Sequence, residues 1–302
     1  LVVAHSKVLE ARDMLRYLLR CDSEETEAML ISAPTGSGKT SFGKAVFRNL
    51  SEGIEHGAEA DKRPVIIIES PNSSNKGAMA SLLLKALGDV SPTKGNLDER
   101  LERIVNYLKL QEVKLIIIDE THNYLPTKPT TKATQAIHFL KNLLNEGSTP
   151  ILFMGTKHAE NLINFYEEVG GRICTRVIKF NNLSISTQHE QIEFAKVLEA
   201  YAKLLNETGT KITFFKDENG RKVLKSQRLV QCFWLATDGN LRKIRNLFYQ
   251  MVDAVLEEGA SSLKDLAQVW KGQMNPTINY NPLESKNAKK VEKTLKIRGM
   301  SN

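Results

Sequence analysis

Cysteine is scarce in this chain. Only Cys21, Cys174 and Cys232 occur in 302 residues, an odd count without close spacing, which excludes a disulfide framework or a zinc knuckle and fits a reducing cytosol. Long apolar runs are missing as well. The longest, such as Val65–Ile68 and Leu115–Ile118, hold five residues or fewer, far below the ~18–20 that a membrane-spanning helix needs. A cytoplasmic location and no membrane partner are therefore expected. The six histidines (His5, His56, His122, His138, His158, His189) show no metal-ligand spacing, and no repeat of solenoid period is present. The chain opens at Leu1 without an initiator Met or a signal-type leader, so native end residues are expected to be missing. What is present, 41% hydrophobic and 25% charged residues, is close to the globular average and excludes wholesale disorder or a fibrous repeat.

The net charge of +7 matters less than its distribution. From Glu284 to Asn302 six basic residues (Lys286, Lys289, Lys290, Lys293, Lys296, Arg298) stand against two acidic ones, so more than half of the excess lies in the last stretch. Following the turn-rich Asn275–Pro282, this segment reads as a mobile arm or short helix for an acidic partner. With so few apolar residues, its removal is expected to leave thermal stability nearly unchanged.

Four short, wholly apolar runs, Ala28–Ser32, Val65–Ser70, Leu115–Asp119 and Ile151–Gly155, and a weaker fifth, Arg176–Phe180, alternate with helical patterns at Lys39–Leu50, Lys76–Leu87, Leu97–Leu110, Lys132–Asn145 and Ala159–Glu168. Strands apolar throughout and alternating with helices predict a parallel sheet covered on both faces. After Phe180 the pattern is helical, at Gln188–Asn206, Ser226–Ala236, Leu241–Glu258 and Ser262–Lys271. A hairpin of Ile212–Phe215 and Arg221–Leu224 interrupts it at Asn219-Gly220. The division expected is 1–181 as an α/β nucleotide-binding domain, 182–274 as a helical lid with the hairpin, and 275–302 as a basic tail. Phe233, Trp234, Phe248, Tyr249 and Trp270 are expected in the lid core.

Ala33-Pro34-Thr35-Gly36-Ser37-Gly38-Lys39-Thr40 follows the first strand and opens a helix. It is a P-loop whose leading glycine is replaced by Ala33, which costs little where φ is negative. Gly36 and Gly38 let backbone N–H groups converge on phosphate oxygens, and the helix N-terminus adds its dipole. Lys39 is placed to reach the β- and γ-phosphates and Thr40 to ligate Mg²⁺; Ser41 completes the cofactor-binding run. Asp119-Glu120 ends a buried strand 80 residues on. If topology brings that strand beside the P-loop strand, Asp119 orients the metal and Glu120 polarises the attacking water.

Asp119-Glu120-Thr121-His122 also spells a DExH box, so a helicase or helicase-loader ATPase is the alternative, though no second RecA-like half follows. The AAA+ class expects a sensor after the fourth strand, where Thr156 stands. It also expects a trans-acting arginine before the fifth, where Arg172 is the first candidate and Arg176 the second. An arginine opening a helix beside the nucleotide matches Arg242 after Gly239-Asn240, with Asn240 as cap. His122, beside the acidic pair, reads as a structural hydrogen-bonding residue that could tune Glu120.

On Ala33–Thr40, Leu115–Tyr124, Ile151–His158 and Gly239–Arg242 the chain resembles the AAA+ regulators of transposition of the TnsC/TniB family, found in Tn-seven-like and CRISPR-associated elements. The resemblance implies a parallel sheet flanked by helices with a helical lid. It implies ATP and Mg²⁺ as cofactors, and rings or helical filaments of the chain on double-stranded DNA. The partners implied are transposase subunits and TniQ-type target-selection adaptors. Pro92-Thr93-Lys94-Gly95 resembles a DNA-facing loop of the family, which makes Lys94 the first DNA-binding candidate. Lys76 and Lys128, each in a polar loop, come next.

Overall fold

The computed structural model describes residues 5–20, 26–52, 62–125, 131–164, 167–173, 176–259, 262–270 and 275–300. Cys21, Lys128 and Cys174 lie outside the described residues. Two compact units are present, Lys7–Phe180 and Asn181–Asn302.

In the first unit, strands β1 (Ala28–Ser32), β2 (Val65–Glu69), β3 (Leu115–Asp119), β4 (Ile151–Gly155) and β5 (Val177–Lys179) form one sheet in the order β2-β3-β4-β1-β5. Every pairing is parallel. Alternation of side chains across a pleated sheet explains why these strands read as unbroken apolar runs. Leu30, Ile66, Ile116, Ile118, Ile151 and Phe153 belong to one core. Their odd-step neighbours Met29, Ile31, Val65, Leu115, Ile117, Leu152 and Met154 belong to the other. Helices α3 (Lys76–Ala86), α4 (Leu97–Leu110) and α5 (Thr131–Gly147) cover the first face, and α1 (Ser6–Leu18) and α2 (Lys39–Ser51) the second. The helix expected over 159–168 is instead a 3₁₀ turn and two short pieces, α6 (Asn161–Asn164) and α7 (Glu167–Gly170).

One expectation of placement is corrected here. β3 is not beside β1, because β4 lies between them. At about 4.8 Å per strand the acidic strand is two positions from the loop strand. The helix that follows the loop crosses the gap: Gly43 of α2 packs so close to β4 that a Cβ there would stand 2.5 Å from Met154 Cε.

The second unit contains α8 (Gln188–Asn206), a hairpin of β6 (Phe215–Glu218) and β7 (Arg221–Leu224), α9 (Gln227–Thr237), α10 (Leu241–Glu258), α11 (Leu263–Leu266) and α12 (Ala288–Ile297). The hairpin turns at Asn219 and Gly220, with φ of 56° and 77°, the left-handed pair a two-residue connection requires. Phe233 sits edge-on to Phe214 and stacked on Phe248, and Trp234 and Trp270 are buried with them. Tyr249, expected in this core, is 57% exposed. It is one step round α10 from Phe248, about 100° off the buried stripe, and Arg245 lies over its ring.

Of the two readings of the basic segment, the short helix is found and the mobile arm is corrected. The segment forms α12, whose Val291 and Leu295 are buried in the core of the second unit. The Tyr280 hydroxyl bonds Thr294, Arg298 pairs with Asp238, and the Asn287 amide bonds Asn281 O. The lysines that suggested a mobile arm, Lys289, Lys290, Lys293 and Lys296, occupy only the outer face. Two apolar residues four apart on the other face suffice to dock the helix.

Candidate nucleotide-binding site

Ser32 ends β1 and Lys39 begins α2, so Ala33–Gly38 must reverse the chain in six residues. Gly36 and Gly38 do so with φ of 85° and 95°. Ala33 is not among the positive-φ residues, donates its N–H to Gly155 O and is buried. The replaced glycine therefore carries no backbone strain. Gly38 caps α2 without any side-chain bond, and the first turn holds no acid, which leaves N–H groups and positive dipole directed out of the loop. Pro34, Thr35 and Ser41 are exposed around it, whereas Ser37 and Lys39 are buried.

The acidic pair meets the loop. Thr40 Oγ1 donates to Asp119 Oδ2 at 2.7 Å, and Asp119 Oδ1 accepts the Glu120 N–H at 2.8 Å. Lys39 Nζ lies 3.0 Å from Glu120 Oε1. Glu120 has φ 51°, a left-handed conformation that costs energy for a residue with a side chain. It ends the strand sharply and turns the carboxylate toward the loop. Ser70, after β2, steadies this bend: its N–H bonds Asp119 O and its hydroxyl bonds Glu120 O.

Thr156 follows β4, between the two. Its Oγ1 and the Ser37 Oγ are buried without a hydrogen-bond partner among the described residues. Buried hydroxyls are rarely left unmatched, and both surround the loop where phosphate oxygens would lie. Uncapped N–H groups, a buried lysine and two unmatched hydroxyls fit a nucleoside triphosphate. Thr40 and Asp119, oxygen donors 2.7 Å apart, fit a hard divalent cation such as Mg²⁺.

One group beside the loop was not singled out by the sequence. Glu160 accepts from Ser32 Oγ at 2.6 Å and pairs with Lys179 at 3.2 Å. Burial pushes its carboxyl upward, but the hydrogen bonds from Ser32 and Lys179 outweigh that and hold it below the ordinary value. The cluster ties β1 and β5 together at the loop, and nothing in the linear pattern joins residues so far apart. His122, by contrast, stands out already in the DExH spelling; its contacts are given below.

Arg172 O accepts the Ala28 N–H, and its guanidinium bonds Thr26 O and Asn145 Oδ1. It therefore stands at the opposite end of β1 from the loop, beyond reach of this chain's own phosphate site. Arg176 pairs with Glu27 and lies over the Tyr17 ring, a more enclosed position. Arg242 is exposed in the first turn of α10, and the Asn240 side chain caps that turn on the Arg242 and Lys243 N–H groups. Lys76 and Lys94 are exposed. A single residue links their segments: Arg100 bonds both Gly77 O and Gly95 O.

Comparison with known proteins agrees with this geometry. The profile of the family described as "TniB: Bacterial TniB protein" matches residues 2–179. A search of the curated proteins finds no match. Among solved structures, the ORC2 protein of Aeropyrum pernix, in ADPNP–ADP complexes, superposes with a TM-score of 0.60 at 14% identity, over 90% of this chain and 68% of that one. A Walker-type ATPase of Pyrococcus abyssi gives 0.58 at 12% identity, over 92% and 74%. Cdc6p from Pyrobaculum aerophilum gives 0.56 at 14%, over 86% and 65%. The chain thus spans about two thirds of the ORC2 and Cdc6p chains, and at such identities the likeness is one of fold. With the P-loop facing the acidic strand in a β2-β3-β4-β1-β5 sheet and the family profile covering more than half of the chain, this protein belongs to the TniB family of AAA+ ATPases that regulate transposition.

Proposed function

We propose that the protein binds Mg–ATP at Pro34–Ser41, assembles as a ring or helical filament on double-stranded DNA, and joins a TniQ-type target-selection adaptor to the transposase. Hydrolysis then resets the assembly. The observation that carries the reading is the pair of contacts Thr40–Asp119 and Lys39–Glu120. They support it because the groups proposed to bind phosphate, order the metal and polarise water are in contact with one another. Mg²⁺, when bound, would supply positive charge that offsets the charge of the phosphates. Thr40 and Asp119 would hold it, Lys39 would turn from Glu120 to the phosphates, and Glu120 would accept a proton from the attacking water. Thr156 contributes a hydroxyl at the γ-phosphate side and Arg242 a charge on the lid. Arg172, remote from its own loop, acts on a neighbouring subunit.

DNA binding is supported by the neighbouring Lys76 and Lys94 segments, braced by Arg100. Lysines read phosphate rather than base, which suits a regulator acting on arbitrary target sequence. One subunit offers few such contacts, and ATP-dependent assembly multiplies them. Fluorescence anisotropy on two unrelated duplexes, with an ATP analogue or ADP, tests this. Expected are tighter binding with the analogue, equal affinity for both duplexes and a log–log salt slope of about −0.9 per contact. Lys94→Ala should flatten that slope. Equal affinity in both nucleotide states, or a strong preference for one duplex, would refute the reading.

A further inference from the structure

One ring nitrogen near the acidic pair has two neighbours. His122 Nδ1 lies 3.2 Å from Glu120 Oε2 and 3.4 Å from the backbone N of Thr156. The Thr156 N–H can donate only to an unprotonated Nδ1, whereas a Glu120 carboxylate can be bonded only by a protonated one. The two bonds therefore exclude each other. The approach is built in: a Cβ at Gly155 would stand 3.3 Å from His122 N and 3.4 Å from its Nδ1. The tightest contact of such a Cβ would be with Ala159 Cβ, at 2.7 Å, so the glycine at the end of β4 lets Ala159 and the ring pack together against the strand end.

The other oxygen of Glu120 is held by Lys39, the residue that must leave when phosphate arrives. Once it has left, His122 remains within reach of the carboxylate. Burial lowers the His122 pKa; Glu120 opposes that shift, while Lys39 and His158 add to it. A neutral ring carries one N–H, so its tautomer determines which neighbour it bonds, and in this partly exposed ring the change releases the Nε2 proton to water while Nδ1 takes one up from water.

We infer that His122 is a positioning residue that couples Thr156 to Glu120, accepting from the Thr156 peptide in the nucleotide-free chain and donating to Glu120 once the Thr156 hydroxyl engages phosphate. The inference deepens the ATP-hydrolysis reading and rests on it. It gives the unmatched Thr156 hydroxyl a consequence: occupation of the γ-phosphate position is relayed through one imidazole to the group that activates water.

The test has two parts. In steady-state assays His122→Ala should lower kcat by roughly 10–100-fold, the size expected of a misplaced catalytic group, with KM and the affinity for a fluorescent ADP analogue unchanged. His122→Asn, whose amide occupies the Nδ1 position and can donate or accept, should recover most of the loss. In a Glu120→Gln background His122→Ala should cost nothing further, because the two act as one unit. Independently of turnover, the ¹⁵N signal of His122 Nδ1 in the intact chain should move from the unprotonated to the protonated range when Mg²⁺ and a non-hydrolysable ATP analogue are added. An unchanged kcat in His122→Ala while the wild type hydrolyses ATP would overturn the inference, as would an Nδ1 signal unmoved by the bound analogue. A wild type that binds the analogue without hydrolysing ATP would instead refute the ATPase reading, with the NMR measurement still deciding the coupling. If His122→Ala fails to fold, His122→Asn and the wild-type spectrum decide.

Discussion

Lys39 is buried with its ammonium 3.0 Å from the Glu120 carboxylate. A buried charge without its partner is costly, so this pairing keeps the free site stable and also stands between the lysine and phosphate. Glu120→Gln separates the two effects. The amide keeps the size and can still accept from Lys39, but it cannot take a proton from water. Turnover is expected to fall by about 10²–10⁴-fold, while affinity for an ATP analogue rises because Lys39 no longer leaves a carboxylate. Phosphate-release assays and analogue titration measure the two. Undiminished turnover would remove Glu120 from its role.

At the scale of elements, α12 shows how little apolar surface docks a helix. Val291 and Leu295 are fully or almost fully buried, and Ile297 is 76% exposed, so a charged sequence conceals a two-residue anchor. Leu295→Ala is expected to destabilise the second unit by about 2–5 kcal/mol through lost burial and the cavity left behind. Lys293→Ala, on the exposed face, should change stability by less than about 0.5 kcal/mol. Chemical denaturation of both variants decides the matter, and equal midpoints would return the segment to the status of a loose arm. Other elements are determined more locally. α4 begins at a capping box of Asn96 and Glu99, and α8 at one of Thr187 and Glu190, so both helices start where a local signal places them.

At the scale of the whole molecule, the question is what a single chain cannot supply to itself. Arg172 lies at the end of β1 remote from the loop and is held there by Thr26 O and Asn145. An activating role at phosphate is therefore possible only in trans, and it requires the guanidinium to exchange those bonds for a neighbour's nucleotide. Arg172→Ala should fold, losing among other contacts the hydrogen bonds to Thr26 O and Asn145, worth about 0.5–1.5 kcal/mol each, and should hydrolyse ATP slowly. Mixing it with Lys39→Ala should restore part of the turnover, since each variant supplies what the other lacks. No rescue at any ratio, with full activity for Arg172→Ala alone, would place the finger elsewhere.

Much of this protein is determined by residues close in sequence. The spans Ala28–Ser32, Leu115–Asp119, Ile151–Gly155, Leu97–Leu110, Gln188–Asn206 and Leu241–Glu258 are the same in sequence pattern and structure, because apolar periodicity, caps and loop glycines act within a few residues. The P-loop is legible for the same reason: its chemistry is carried by eight consecutive positions. Tertiary structure alone decided what depends on the order of the strands. It placed β4 between the loop strand and the acidic strand, and so brought Gly155 and Thr156 against His122. It joined Ser32, Glu160 and Lys179, and it turned Tyr249 outward and α12 inward. Such contacts arise between segments whose sequences carry no mark of each other, and only the packing of the sheet and helices determines which of them meet.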